Sequence, residues 1–232
     1  MEKLIYSFWH PQKDIKALRD DLVQNLGPQL KQQAGVHGVQ INITDEFLHN
    51  VPGSLQPLHR QQPPVQGIIN IWVDTSYYRA PLEALIGRHV SGFHGYSVVE
   101  SKPIVNDKPA GPGQRLDALS QIVFLEKPQA MDHQAWLADW LNRHTQVAID
   151  TQSTFGYVQN VVLRPLTPNA PMLHGIIEEL FPFESFTSQE AFYDAVGDAA
   201  KLQRHFQAMM DSCASFIDRE RMDIFHTSQY II

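Results

Sequence analysis

Two tryptophans and a histidine recur at every fourth position in the second half of the chain. Trp136, Trp140 and His144 follow this spacing, which places the three side chains on one apolar face of a helix. An imidazole on that face points inward, either as a core histidine held by one hydrogen bond or as a group in a binding pocket. Because histidine titrates near neutral pH without assistance, His144 is a candidate catalytic acid or base.

Two strand-like segments, one in each half of the chain, alternate side chains between two faces. One face of each segment is suited to packing under helices: Gly67, Ile69, Ile71 and Val73, and Gly175, Ile177 and Phe181. The other faces mix polar and apolar residues: Gln66, Ile68, Asn70 and Trp72, and His174, Ile176, Glu178 and Leu180. Such a mixture is typical of a pocket wall. We therefore predict that Asn70, Trp72 and His174 bind substrate across a shared interior.

Glu178 is the candidate general base of this predicted pocket. A carboxyl group in a half-apolar cavity holds its proton more tightly than in water, which suits proton transfer to or from an organic substrate. The alternative is a structural carboxylate paired with a neighbour such as Arg164. Burial and hydrogen-bond partners distinguish the two interpretations.

Three further side chains are predicted to converge with Glu178 on one ligand. Tyr157 and Gln159 share a face of a predicted strand, and they would supply a phenol and an amide. His226 alternates with apolar neighbours on the last predicted strand. A solvent-facing position at a strand end is the alternative for that histidine.

Other common chemistries lack their motifs. His10, His37 and His94 show no close ligand spacing, so we predict no metal and no other cofactor. There is no Gly-x-Ser-x-Gly sequence and no phosphate-cradling glycine-rich motif. Cys213 lies in an apolar stripe at helical spacing, which indicates a buried and unreactive thiol.

Composition limits the partners of this 232-residue chain. Its net charge of −7 opposes binding to nucleic acid or to an anionic membrane surface. No stretch of about eighteen apolar residues occurs, and the first ten residues indicate a strand rather than a signal peptide. A single cysteine fits a reducing compartment, and we predict a cytoplasmic protein with a small-molecule ligand.

The order of predicted elements occurs twice. Strands are predicted at residues 3–9, 38–44, 65–74, 96–101, 119–125, 155–163, 173–181 and 222–230, with helices after the first and third strand of each half. The first helix contains Ile15, Leu18, Leu22 and Leu26 and is predicted to end at Gly27-Pro28. Thr187 and Glu190 are predicted to cap a later helix, followed by a helix with Leu202, Phe206, Met209, Cys213 and Phe216 in its core stripe.

The predicted fold class is α+β, with two ferredoxin-like β-α-β-β-α-β repeats, residues 1–110 and 111–232. Residues 66–73 resemble residues 174–181 at a separation of 108 positions. A weaker similarity relates Val39-Gln40 to Val158-Gln159, 119 positions apart. Each repeat leaves one sheet face bare, so we expect the two sheets to pack against each other as a barrel within one chain.

Several segments of the second half resemble the EthD family of the dimeric α/β-barrel superfamily. They are residues 131–136, 140–144, 157–160, 174–178 and 216–218. The resemblance implies a ferredoxin-like α/β barrel and relatives named for ether degradation or acting as dehydratases and cyclases on aromatic polyketides. It covers most of residues 116–232. The chain departs from the family with Val161 in place of a frequent histidine and Glu179 in place of an apolar residue.

The leading functional hypothesis is cofactor-free acid/base chemistry, of a dehydration or cyclisation type, on a small apolar or phenolic compound. In it, His144 and Glu178 exchange protons. One alternative is a binding protein that shelters a hydrophobic metabolite without chemistry. Another is an oxidoreductase or a haem-type barrel enzyme with a histidine axial ligand. The sequence also leaves open a homodimer of the two-repeat chain.

Overall fold

A computed structural model describes residues 1–11, 13–108 and 110–232 of the chain. Its strands are β1 Glu2–Trp9, β2 Val36–Ile43, β3 Gly67–Val73, β4 Gly92–Ile104, β5 Leu119–Leu125, β6 Gly156–Pro165, β7 Gly175–Phe181 and β8 Asp223–Ile231. Its α-helices are α1 Ile15–Asp21, α2 Gly27–Lys31, α3 Ala80–His89, α4 His133–Ala138, α5 Thr145–Thr151, α6 Gln189–Phe192 and α7 Ala199–Phe216. All eight predicted strands are present, with shifted ends.

The strands form one closed antiparallel barrel in the order β1-β3-β2-β8-β5-β7-β6-β4. Within the first half the order is β4-β1-β3-β2, and within the second half it is β8-β5-β7-β6. The outer strands of the two halves are hydrogen-bonded to each other, β2 to β8 and β4 to β6. The expected pair of facing sheets is therefore a single continuous barrel, whose closure removes exposed strand edges.

Alternation along each strand divides the side chains between the barrel interior and an outer layer of helices. In β1, Leu4, Tyr6 and Phe8 pack with residues of α1 and α3 outside the barrel, whereas Ile5 belongs to the interior cluster. Nearly every residue of the strand is buried because both of its faces are covered. The helices α4, α5 and α7 cover the second half in the same way.

The first helical region continues beyond its predicted end. A π-helical segment, Leu22–Leu26, connects α1 to α2, and Gly27 and Pro28 lie at the start of α2. The prediction that Gly27-Pro28 ends the helix is wrong, because the helical backbone continues through both residues to Lys31. The π-helical segment lies directly before Pro28, which lacks a backbone N–H donor. A second π-helical segment, Asp139–His144, lies between α4 and α5.

Three local expectations also differ from the structure. The cap of α6 is Ser188, whose hydroxyl accepts a hydrogen bond from the backbone N–H of Ala191, so the predicted cap at Thr187 is wrong. Phe206 on α7 is exposed rather than in the core stripe. The predicted similarity of Val39-Gln40 to Val158-Gln159 does not correspond to equivalent positions. Gln40 pairs with Asn70 and lies on the interior face of the barrel, whereas Gln159 lies under the helices.

Among the residues that the structure describes, no helix is both long enough and apolar enough to cross a bilayer.

Candidate functional site

Two adjacent glutamates on β7 point to opposite sides of the barrel wall. Glu178 lies on the interior face and Glu179 lies on the face covered by helices, since neighbouring residues of a strand alternate in direction. Both are buried, with 3% and 6% of their surface exposed. Each lines a different cavity, so these two neighbouring carboxyl groups lie in different buried environments.

Glu178 is the centre of a hydrogen-bond network inside the barrel. Its Oε1 accepts hydrogen bonds from Lys3 Nζ at 2.8 Å and Asn160 Nδ2 at 3.0 Å. Its Oε2 accepts from Gln40 Nε2 and Asn70 Nδ2, both at 2.8 Å. Four donors from four strands therefore satisfy this carboxylate, and one of them is a buried ammonium that neutralises its charge.

The interior network extends to the mouth of the barrel. Lys3 Nζ also donates to Glu100 at 2.7 Å, and Trp72 Nε1 donates to the same carboxylate at 3.2 Å. A cavity of about 170 Å³ lies here, lined by Trp72 and Glu178 among others. The predicted partner of Glu178, Arg164, instead donates to Ser76 Oγ at 3.4 Å. The structural interpretation of Glu178 fits these contacts, with Lys3 as the partner.

A second cavity, of about 280 Å³, lies between the outer face of the barrel and the helices of the second half. Its walls are largely apolar and include both aromatic and sulfur-containing side chains. They are formed by Gln121, Val123, His144, Gln152, Ile177, Glu179, Phe192, Tyr193, Met209, Met210, Cys213, Ile217, Arg219, Met222 and Ile224. We call this space the helix-side cavity.

Glu179 is the buried acid of the helix-side cavity. Burial raises the pKa of its carboxyl group to about 7, and the hydrogen bond from Gln121 Nε2 at 3.0 Å offsets only part of that effect. No ion pair to this carboxyl group is found among residues 1–11, 13–108 and 110–232. At neutral pH the group therefore exists in both its protonated and ionised forms, which suits a proton-transferring residue.

His144 lines the same cavity as Glu179. Its Nδ1 lies 2.8 Å from Ser212 Oγ, and its ring contacts Phe216 at 4.6 Å between centroids. Burial, assisted by the nearby charge of Arg143, lowers the imidazole pKa to about 4. The ring is therefore neutral at pH 7. Because His144 and Glu178 lie on opposite sides of the barrel wall, the predicted exchange of protons between them does not fit the geometry.

Tyr157 and Gln159 also lie on the helix side of the wall. Gln159 Nε2 donates to Thr145 Oγ1 at 2.6 Å, and Tyr157 is fully buried in the cluster with Trp140. The predicted convergence of these two residues with Glu178 is wrong because the odd-numbered positions of β6 face outward. The next residue along β6, Asn160, points to the opposite side of the wall and donates a hydrogen bond to Glu178 instead.

The two remaining predicted histidines lie at separate places. His174 precedes β7, where its Nδ1 accepts a hydrogen bond from the backbone N–H of Lys127 at 3.2 Å and its ring lies beside Trp136. His226 lies on the outer face of β8, buried against Phe186. Neither histidine lines the cavity at Glu178, so of the predicted set only Asn70 and Trp72 join that glutamate.

Sequence reasoning missed the buried residues that define both sites. Lys3 and Gln40 were not predicted to face the interior, although their alternation with apolar neighbours is visible in the sequence. Glu179 was noted only as a departure from the EthD pattern. A charged residue at a position expected to be buried under helices is itself a signal of function.

Two further expectations concern the reactivity of Cys213 and the presence of a metal site. Burial raises the pKa of the Cys213 thiol to about 11, so it stays protonated and unreactive at neutral pH. In the part of the chain that the structure describes, no cluster of three or more histidine, cysteine, aspartate or glutamate side chains has the arrangement of a metal site.

The architecture and buried sites define a mixed α/β protein with a closed eight-stranded antiparallel barrel. Among solved structures, 27 chains match it. One is described as "Crystal structure study of anthrone oxidase-like protein"; the match covers 100% of this chain and 91% of that chain, at a TM-score of 0.57 and 11% sequence identity. This likeness establishes the fold.

No family model matches the sequence, and comparison with curated proteins finds no similar sequence. Membership of the EthD family therefore stays a prediction.

Proposed function

We propose that this protein binds a small, largely apolar organic compound in the helix-side cavity and performs acid/base chemistry on it through Glu179. The observation that carries the proposal is the buried carboxyl group of Glu179 at the wall of an apolar cavity, with a pKa raised to about 7. A carboxyl group near half-protonation accepts and returns a proton at neutral pH with little energetic penalty.

The cavity supports a reaction in which a proton leaves one atom of the substrate and returns to another. Such dehydrations and cyclisations need an acid/base group and exclusion of water, and they need no cofactor. Tyr193, whose pKa is raised to about 12 mainly by burial, serves as a hydrogen-bond donor. His144, neutral and oriented by Ser212, serves as a second polar contact.

A phenolic or aromatic ketone substrate fits these walls. Phe192, Tyr193 and Met209 supply flat and deformable apolar contacts, while Glu179 and His144 supply polar ones. The description of the structural neighbour as anthrone oxidase-like agrees with an aromatic compound of modest size. In this proposal Glu178 and Asn70 hold the barrel together.

The chain is further proposed to consist of two ferredoxin-like repeats, residues 1–110 and 111–232, of EthD type. The same relative strand order in both halves supports this division. Register supports it as well: Asn70 and Glu178 occupy the middle of β3 and β7, opposite Ile5 and Ile122 respectively.

The first experiment identifies the ligand. Native mass spectrometry of freshly purified protein, followed by denaturation, is expected to release a small organic molecule. That molecule is then incubated with the protein and its mass is followed. A changed mass, or a changed proton NMR spectrum at constant mass for a cyclisation that loses no water, supports catalysis. A compound that is unchanged by both measurements and bound with high affinity supports the alternative of a binding protein.

The second experiment tests the acid/base group. Glu179→Gln preserves the size of the side chain but cannot transfer a proton, so turnover is expected to fall by about a hundredfold or more. Glu184→Gln, at an exposed position on the same half of the chain, is the matched control and should retain full turnover. Full activity of the Glu179→Gln variant would overturn the proposed role.

A further inference from the structure

The segment between β2 and β3 covers a third cavity, which shares no lining residue with the two glutamate cavities. β8 pairs with β2 only from Ser228 onward, so the first part of β8 has a free edge on that side. Residues 44–66 cover this edge, with an antiparallel bridge between Leu58 and Ile224. A cavity of about 300 Å³ remains between this covering segment and the barrel.

The covering segment is held in place by specific bonds. Asp223, 3% exposed, accepts hydrogen bonds from the backbone N–H groups of Arg60 at 2.7 Å and Gln61 at 3.1 Å. The backbone N–H of Leu55 donates to the carbonyl of Phe186 at 2.8 Å. The cavity is therefore a built feature of the fold.

Two histidines, His59 and His226, present buried ring nitrogens at this cavity, whose lining also includes the polar residues Thr44, His49, Asn50, Ser54 and Gln56. His226 is 5% exposed, and its Nε2 is buried with no hydrogen-bond partner in the described part of the chain. His59 Nδ1 is likewise buried without a partner among those residues. A buried polar nitrogen without a partner destabilises the protein, so a ligand that completes its hydrogen bonding gains affinity.

Aromatic side chains surround the two imidazoles. The ring of His59 stacks on Phe225 at 6.0 Å between centroids, and the ring of His226 lies 5.3 Å from Phe186. Burial lowers the pKa of both histidines, so both rings are neutral at pH 7. The cavity therefore combines flat apolar walls with uncharged nitrogen atoms, which favours a neutral ligand over an ion.

We infer that this cavity is a second binding site, for a small neutral ring compound that carries a hydroxyl group. A hydroxyl group both donates and accepts hydrogen bonds, so it matches a neutral imidazole nitrogen in either tautomer. The ring of the ligand packs against Phe186 and Phe225. This site shares no lining residue with the helix-side cavity and does not depend on the proposed function of Glu179.

The test is a titration of protein carrying isotopically labelled histidine, with phenol as the probe and toluene as its counterpart without the hydroxyl group. Saturable changes in the ring resonances of His226 and His59 are expected with phenol, and about tenfold weaker binding is expected with toluene.

Two variants make the test specific. His226→Phe keeps an aromatic ring but removes the nitrogen atoms, so it should abolish the preference for phenol over toluene. His59→Phe, at a partly exposed position, provides the same test if His226→Phe does not fold. The inference is overturned if neither histidine responds to phenol, if phenol and toluene bind equally, or if the folded variants keep the preference for phenol.

Discussion

Asn70 and Glu178, 108 residues apart in the chain, are joined by a 2.8 Å hydrogen bond inside the barrel. Each lies in the middle of the third strand of its half, and the amide of one donates to the carboxylate of the other. The bond ties the two halves together at the centre of their shared interior. Because Lys3 and Gln40 also come from the first half, Glu178 anchors three side chains of that half.

Lys3→Met should strongly destabilise the protein. The change removes the only ammonium bonded to Glu178 among the described residues and leaves a buried carboxylate without its counter-charge, which costs about 3–5 kcal/mol. Lys16→Met removes an exposed ion pair with Asp20 and should have little effect on stability, because solvent screens the two charges. Chemical denaturation of both variants measures the difference. Equal stabilities would contradict the role assigned to the interior network.

Glu179→Gln should change how stability depends on pH. The folded-state pKa of about 7 lies above the ordinary value of 4.5, so the native state binds the extra proton between these values. This contribution is fully present below pH 4.5 and is lost as the pH rises through 7, amounting to about 3 kcal/mol. The free energy of unfolding of the wild type minus that of the variant, measured by denaturation at several pH values, should decrease as the pH rises from 4.5 to 7. A difference independent of pH would show that Glu179 is not perturbed.

His144→Gln should remove a contribution to stability that depends on pH in the opposite direction. The folded-state pKa of about 4 lies below the ordinary 6.5, so the unfolded state binds the proton first as the pH falls. The neutral ring thus stabilises the fold above pH 6.5, and that contribution is lost as the pH falls toward 4. The opposite slope from Glu179 remains in the variant, so the stability of the wild type minus that of the variant, from thermal unfolding between pH 4 and 7, should rise with pH. An unchanged profile would indicate a solvated ring.

Asp223→Asn should loosen the segment that covers the histidine-lined cavity. The variant replaces an anionic acceptor of two backbone N–H groups with an amide, which weakens both bonds by about 1–3 kcal/mol. Hydrogen exchange in residues 55–66 should accelerate about tenfold or more, while the exchange of β5 stays slow. Asp117→Asn, at an exposed position, is the control. Unchanged exchange in this segment would show that other contacts hold it.

Periodicity was sufficient to predict the strands and to separate the two faces of β3 and β7. The alternation in residues 66–73 and 174–181 correctly separated the interior face from the helix-covered face, and Asn70, Trp72 and Glu178 do share one interior. Strand alternation is a local property with a period of two, so it requires no knowledge of partners. Helix ends were less predictable, because the π-helical segments Leu22–Leu26 and Asp139–His144 have no simple sequence signal.

Which polar groups meet could not be read from the sequence. A shift of one position in β6 exchanges Gln159 for Asn160 beside Glu178, and the order of strands decides that Lys3 reaches the same carboxylate. The environment of Glu179 depends on α7 and the residues after it, which lie far along the chain. Local patterns specify the elements and their two faces, whereas burial, desolvation and the pairing of charges arise only when distant strands close the barrel.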